Sequence, residues 1–366
     1  MRHRFNGMLP YVADENVRRP AMRTIGIAIG LILVLVTAPG AQAPPSATRT
    51  SGNWTPPRTA DGHPDLSGVW SNNSVTPLER PKQWAGKDHL TGAELEQLKR
   101  DISQVYDEGG DAIFQNLVQA ALDRRKLISY DPTTGNYNEF WMVERDIDNR
   151  TSLITDPSDG HMPPLTPEAE KRRAVRTVQA GGEGGPAGRT DGPEDRPLSE
   201  RCITFGAPRT GAGYNSYFQI VQSPTTVGIL QETIHDVRIV PIGGTPHLTP
   251  GVPQWLGDSR GHWEGDTLVV ESSNYNPKSI PFRATEHLKT IERFTRASPE
   301  YINWEITVDD PATWTRAWTM MIRLKKEPKE LYEYACHESN YSMPGILAGA
   351  RVKERAAAQK SNQDQK

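Results

Sequence analysis

From Tyr301 to Val308 the chain alternates without a break. Ile302, Trp304, Ile306 and Val308 fall on one face, and Tyr301, Asn303, Glu305 and Thr307 on the other. Strict alternation marks a strand with one buried face and one face that is wet or lines a cavity. The same pattern runs from Tyr214 almost to the end. Ser216–Val221, Val227–Thr233, Val237–Ile242, Thr267–Ser272, Lys289–Arg296, Trp318–Lys325 and Leu331–His337 are further expected strands, separated by turn clusters. Gly and Pro are abundant, 31 and 30 residues, which favours many turns over long helices. Sequential strands with short turns predict an antiparallel meander, closed or nearly closed as a barrel.

The region before Tyr214 reads differently. Thr91 with Glu94 fits a capping box, and Leu95, Leu98, Ile102 and Val105 recur at helical spacing. Ile113, Leu117, Ala120 and Ala121 repeat the pattern, so two helices are expected within 91–126. Thr166–Val178, with Pro at its first helical position, predicts a third. Tyr137–Arg145 reads as a strand with Thr151–Thr155 as its partner. The glycines of 180–197 form a loop rather than a phosphate cradle, because no strand precedes them and no GK[ST] follows. Gly68 two residues before Trp70 resembles the G-x-W opening of lipocalin-type barrels. The expected fold class is therefore mainly β: an antiparallel meander or lipocalin-like barrel with N-terminal helical insertions, closed by a first strand around Val69 and Trp70.

Met22 and Arg23 precede an apolar run from Ile25 to Val36 and an A-x-A ending at Ala43, the pattern of a secretory signal peptide. The run is too short for a spanning helix, so no stable membrane insertion is expected after cleavage. Met22 begins a complete signal by itself, which makes residues 1–21 an upstream extension. The expected organisation is extension and signal 1–43, flexible lead-in 44–62, an N-terminal region 63–213, a β region 214–350 and a polar tail 351–366 that frays. Removing 1–43 leaves 37 basic and 43 acidic residues, and a mildly acidic chain without a basic run is a poor nucleic-acid binder. Cys202 and Cys336 are the two cysteines. In an oxidising compartment they can pair; two buried free thiols are the alternative.

Several blocks together resemble a family of secreted bacterial proteins. They are D-L-S-G-V-W, R-C-I at Arg201–Ile203, I-H-D-V-R-I-V-P, W-L-G-D-S-R-G-H-W-E-G-D-T-L-V-V, E-R-F-T-R, D-D-P-A-T-W-T and Y-E-Y-A-C-H-E-S-N-Y. The resemblance spans essentially the whole mature chain and implies export. It brings no activity or catalytic residue with it, so function rests on the residues themselves.

Two constellations stand out. On a strand, Asp236 and Arg238 share a face with Ile234, Val240 and Ile242, while His235 points the other way. That arrangement reads either as a structural ion pair or as an acid/base group at a barrel mouth. The doubled W-x-G-D places Asp258 and Arg260 at one turn and Gly265-Asp266 at another. His235, Asp236, Arg238 and His262 are the catalytic candidates. Asp258, Arg260, Trp255, Trp263, Trp304 and Trp318 are the ligand-binding candidates. No HxH, HExxH or G-x-S-x-G occurs, so no metal site, cofactor or nucleophile elbow is expected. The first functional expectation is an exported protein that binds a small apolar, aromatic or sugar-like ligand in an aromatic-lined cavity. A periplasmic hydrolase or lyase using the Asp/Arg/His cluster is the second, and a non-catalytic structural protein the third.

Overall fold

The computed structural model describes residues 54–107, 116–124, 144–179, 190–249, 251–338 and 340–364. The segment expected to be a signal and residues 180–189 lie outside them, as does most of the strand expected at 137–145.

Ten strands form one antiparallel sheet. They are β1 (Gly68–Ser71), β2 (Ile154–Asp156), β3 (Tyr217–Gln222), β4 (Thr226–Gln231), β5 (Val237–Pro241), β6 (Asp258–Glu264), β7 (Thr267–Ser273), β8 (Lys289–Arg296), β9 (Tyr301–Asp309) and β10 (Trp318–Glu327). Two hairpin runs, β3 to β5 and β6 to β10, follow the chain in order. The N-terminal strand β1 joins them, pairing with β3 on one side and β10 on the other. The short strand β2 adds to β10, and the partner expected for it at 137–145 lies mostly outside the described residues.

The sheet curls but is not closed, which corrects the lipocalin-like alternative. The path begins at β5 and ends at β6, and these edges meet at a single parallel bridge, Ile242 to Gly261. The missing side chain of Gly261 permits this approach. A Cβ there would lie 2.5 Å from Ile242 Cδ1 and 2.9 Å from Val240 Cγ1. Edge strands are aggregation hazards when left bare, and the bridge covers part of both.

The inner face holds the main core. Trp70, Ile220, Val240, Val270, Phe294, Ile302, Ile306 and Ile322 are all buried there. Strand β9 keeps the alternation of its sequence, with every second residue buried. The β6–β7 turn is two residues long, and Gly265 takes the positive φ of 58° that such a hairpin needs.

Helices α1 (Gly92–Asp107) and α2 (Leu117–Leu122) pack Leu98 and Ile102 on Val118 and Ala121, around a satellite core with Trp84. Helix α3 (Pro167–Gln179) begins at the expected Pro. Two expectations fail. Leu331–His337 is not a strand, and the polar tail is helix α4 (Ser342–Asp364). The tail carries Ala356–Ala358 among Arg, Lys, Glu and Gln, which are strong helix formers without a core-facing stripe.

Candidate functional site

The site begins at a break in the chain between β4 and β5. Ile234 and His235 have φ of 57° and 44°, so the strand pattern stops and the backbone turns sharply. The turn leaves His235 exposed and delivers Asp236 to the end of the curled sheet. Asp236 Oδ2 accepts from Thr204 Oγ1 at 2.7 Å, Gln231 Nε2 at 3.0 Å and the Phe205 backbone N–H at 3.2 Å. Burial nevertheless holds its carboxyl above the usual Asp range, and those donors offset only part of the effect.

Two residues on, Arg238 points into the interior. It meets Glu292 of β8 as a bidentate pair, one arm at 2.8 Å and the other to Oε1. Glu292 is fully buried, and Trp304 Nε1 donates to its Oε2 at 3.0 Å. Burial opposes the charge on Arg238, but Glu292 outweighs it and keeps the guanidinium firmly protonated. Tyr275 lies near the pair, with its hydroxyl 2.8 Å from Thr290 Oγ1. Burial first, then Glu292, pushes the phenol up to about 12.

Arg238, Asp236, Gln231 and Arg209 line one cavity of about 20 Å³ at this end of the sheet. Its floor is apolar: Phe218, Phe294, Trp304 and Leu256. Phe294 stacks on Trp304 at 5.6 Å, and Phe218 meets the indole edge-on at 5.7 Å. A volume of this size admits about one water, so the aromatic side chains fill the interior rather than enclose a wide pocket.

Arg209 reaches the cavity from the 203–209 segment. Its Nη1 donates to Thr233 Oγ1 and its Nη2 to Tyr214 O at 3.1 Å, and its guanidinium sits 4.8 Å from the Phe205 ring centre. Burial draws its pKa down to about 10, against the pull of Tyr334, Glu232 and Asp236. Behind it, Glu232 is 2% exposed and accepts from Asn215 Nδ2 at 2.8 Å. Burial also raises this carboxyl, and Asn215 and Arg209 offset it in part.

The sequence candidates separate into groups. Asp236 and Arg238 share the cavity but are not each other's ion-pair partner, because Glu292 takes the guanidinium and Asp236 is held by uncharged donors. Asp258 and Arg260 are not at a turn tip. They lie in strand β6, whose inward residue Ser259 bonds Ser272, so both point to the outer face. There Asp258, only 5% exposed, gathers Arg260 Nη1 at 2.6 Å, Leu248 N at 2.7 Å and His247 Nδ1 at 2.9 Å. His262 is paired with exposed Glu264 and does not line the cavity. Of the four tryptophans, Trp304 floors the cavity and Trp318 is buried against Trp314 and Phe282. Trp263 stacks on His63 at 4.6 Å, and Trp255 is exposed. Asp266 contacts Arg58 at 2.8 Å rather than only its own turn.

Cys202 and Cys336 form a disulfide with a Cα–Cα distance of 5.7 Å. It ties the chain before α4 to the segment that carries Thr204, Phe205 and Arg209. Among the described residues no group of three or more His, Cys, Asp or Glu is placed to hold a metal ion, and no helix is long and apolar enough to cross a membrane. The sequence reading missed Arg209, Gln231, Glu232 and Glu292 as site residues. No family model, no curated protein and no solved structure matches the chain.

Proposed function

We propose that this is an exported binding protein for a small ligand, which enters at the end of the curled sheet where Arg209, Gln231 and Asp236 meet. The observation that carries this is the convergence of those polar groups above the Phe218, Phe294 and Trp304 floor. Binding sites of this type pair an apolar floor with a few convergent polar groups and perturbed titratable residues. The cavity of about 20 Å³ takes a head group, and the rest of a ligand must lie outward along the mouth. The exposed Phe205 and half-buried Leu256 give that body an apolar contact.

Export is supported by the signal pattern ending at Ala43 and by the Cys202–Cys336 disulfide, which suits an oxidising compartment. Expression of the full chain followed by N-terminal sequencing of the recovered protein tests it; a chain that keeps residues 22–43 counts against export.

Trp304 is the built-in reporter for binding, since its ring lies in the floor. The mature protein titrated with small aromatic, aliphatic and sugar compounds should show a saturable change in tryptophan fluorescence for one class. A flat response across every class sinks the binding reading and leaves a structural role.

A further inference from the structure

We infer that the head group taken up at this mouth is a carboxylate, and that Arg209 is its anchor. The inference rests on the binding reading above.

The argument is one of charge accounting inside the fold. A guanidinium removed from water needs a counter-charge or a full set of acceptors. Arg238 has both, from Glu292. Arg209 has neither. Its guanidinium donates to one hydroxyl and one carbonyl, on Thr233 and Tyr214, and among the described residues no carboxylate is within ion-pair distance. The two nearest acids are occupied elsewhere: Glu232 with the Asn215 amide, Asp236 with Thr204, Gln231 and the Phe205 N–H. Burial raises both carboxyls, and neither reaches Arg209 as an ion pair. The same burial disfavours the charge on Arg209 itself, as an uncompensated cation requires. Among the described residues, Arg209 is thus a cation on a cavity wall that feels Glu232 and Asp236 only from beyond ion-pair distance.

The chemistry of the occupant follows. Among the described residues that line the cavity, one cation without an ion-pair partner matches one negative charge. A planar carboxylate matches the fork of a guanidinium, and such charge-assisted bonds are the strong ones. A phosphate dianion calls for a second cation, and Arg238 is already spent on Glu292. The enclosed space admits about one water, so only the tip of the carboxylate enters it. The exposed Phe205 and half-buried Leu256 suit a flat apolar body at the mouth. A small aromatic or short aliphatic monocarboxylate has this shape.

The test uses the mature full-length protein with three probes of one size: benzoate, benzamide and benzylamine. Affinities are read by calorimetry and by tryptophan fluorescence at pH 7. Benzoate should bind about tenfold or more tighter than benzamide, the scale of one charged hydrogen-bonded contact, and benzylamine should be weakest. Arg209→Gln should remove the preference for benzoate over benzamide, and Arg209→Lys should keep part of it. Equal binding of benzoate and benzamide overturns the carboxylate inference while the binding reading stands, as does full benzoate affinity in a folded Arg209→Gln. Should no probe bind the wild type, both fall. The wild-type comparison of the three probes decides the matter even where Arg209→Gln does not fold.

Discussion

Arg238 on β5 and Glu292 on β8 are bound to each other across the inside of the sheet, with Glu292 fully buried and Arg238 6% exposed. The two strands are far apart in the sheet order, so the pair exists only because the sheet curls. Breaking one partner leaves the other charge buried and alone. Glu292→Gln should therefore cost about 3–5 kcal/mol. The double change Arg238→Met with Glu292→Leu should cost much less, since it removes both charges and keeps the volume. Urea unfolding of the single and double variants checks this; a double variant as weak as the single one would sink it.

Glu232 and Asn215 predict a pH effect. Glu232 Oε2 and Asn215 Oδ1 are buried without partners. Burial raises the Glu232 carboxyl in the folded chain. A raised carboxyl means the folded state binds the proton more tightly, so its contribution to stability is complete below the ordinary Glu value of about 4.3. It is lost as pH rises through the raised folded value, and is level above that. Glu232→Gln should flatten this fall and raise stability at pH 8 by about 1 kcal/mol. Thermal unfolding at pH 4, 6 and 8 reads it, and an unchanged slope would count against the assignment. The fall that remains belongs to Asp236, which is raised in the same direction.

The Cys202–Cys336 bond closes a loop with a sequence separation of 134. Replacing both with Ser should cost about 2–5 kcal/mol. Thiol reduction should do the same to the native chain. The segment 198–209 should then become the preferred site of limited proteolysis, because Asn340 Nδ2 also reaches Glu200 O across this joint. Equal cleavage patterns with and without reductant would falsify the idea that the bond holds the cavity wall.

Gly261 sits where the two sheet edges touch. Gly261→Ala places a methyl group against Ile242 and Val240. Overpacking of this kind costs about 1–3 kcal/mol. Ile242→Ala in the same chain should return part of that loss, and the pair of variants in a denaturant titration tests whether the seam is the cause.

Asp258 and the cavity lie on opposite faces of the sheet, so their variants should behave independently. Asp258→Ala removes the acceptor for His247, Leu248 and Arg260 and should expose the 245–249 loop to proteolysis. Ligand-induced fluorescence at Trp304 should not change. A parallel loss of both would show that the two faces are coupled.

Much of the sheet was legible because alternation is a local property. β7, β8 and β9 match their expected spans closely, since Leu268, Phe294, Trp304 and their neighbours recur at the strand period. The C-terminal region was misread for a related reason. Tyr332 and Tyr334 are good strand formers, but the segment pairs with no strand among the described residues, and propensity alone does not make a strand. The turn roles of Gly, Asp and Ser favour a turn at the first W-x-G-D, but pairing with β7 makes Asp258–Gly261 a strand instead.

The site was only half legible. Asp236 and Arg238 were identified by their charge on an apolar strand. Glu292 was not, because Ile291 beside it is the apolar neighbour that a sequence reader turns inward. The structure does the reverse, leaving Ile291 exposed and Glu292 buried, in step with inward Phe294. Phe294 was the available signal. Arg209 and His247 had none, since their partners are set by segments that meet only in space.

The amino-acid sequence alone determined the β class, the order of the hairpins and the position of helices α1 to α3, because strand and helix periods, caps and turns act between near neighbours. The curl of the sheet decided the rest: that the ladder stays open, that Arg238 belongs to Glu292 rather than Asp236, and that Arg209 faces a cavity with no carboxylate at ion-pair distance among the described residues. Those outcomes depend on which charges are buried opposite one another, and a buried charge takes the partner that the surrounding packing places within reach, whatever its distance along the chain.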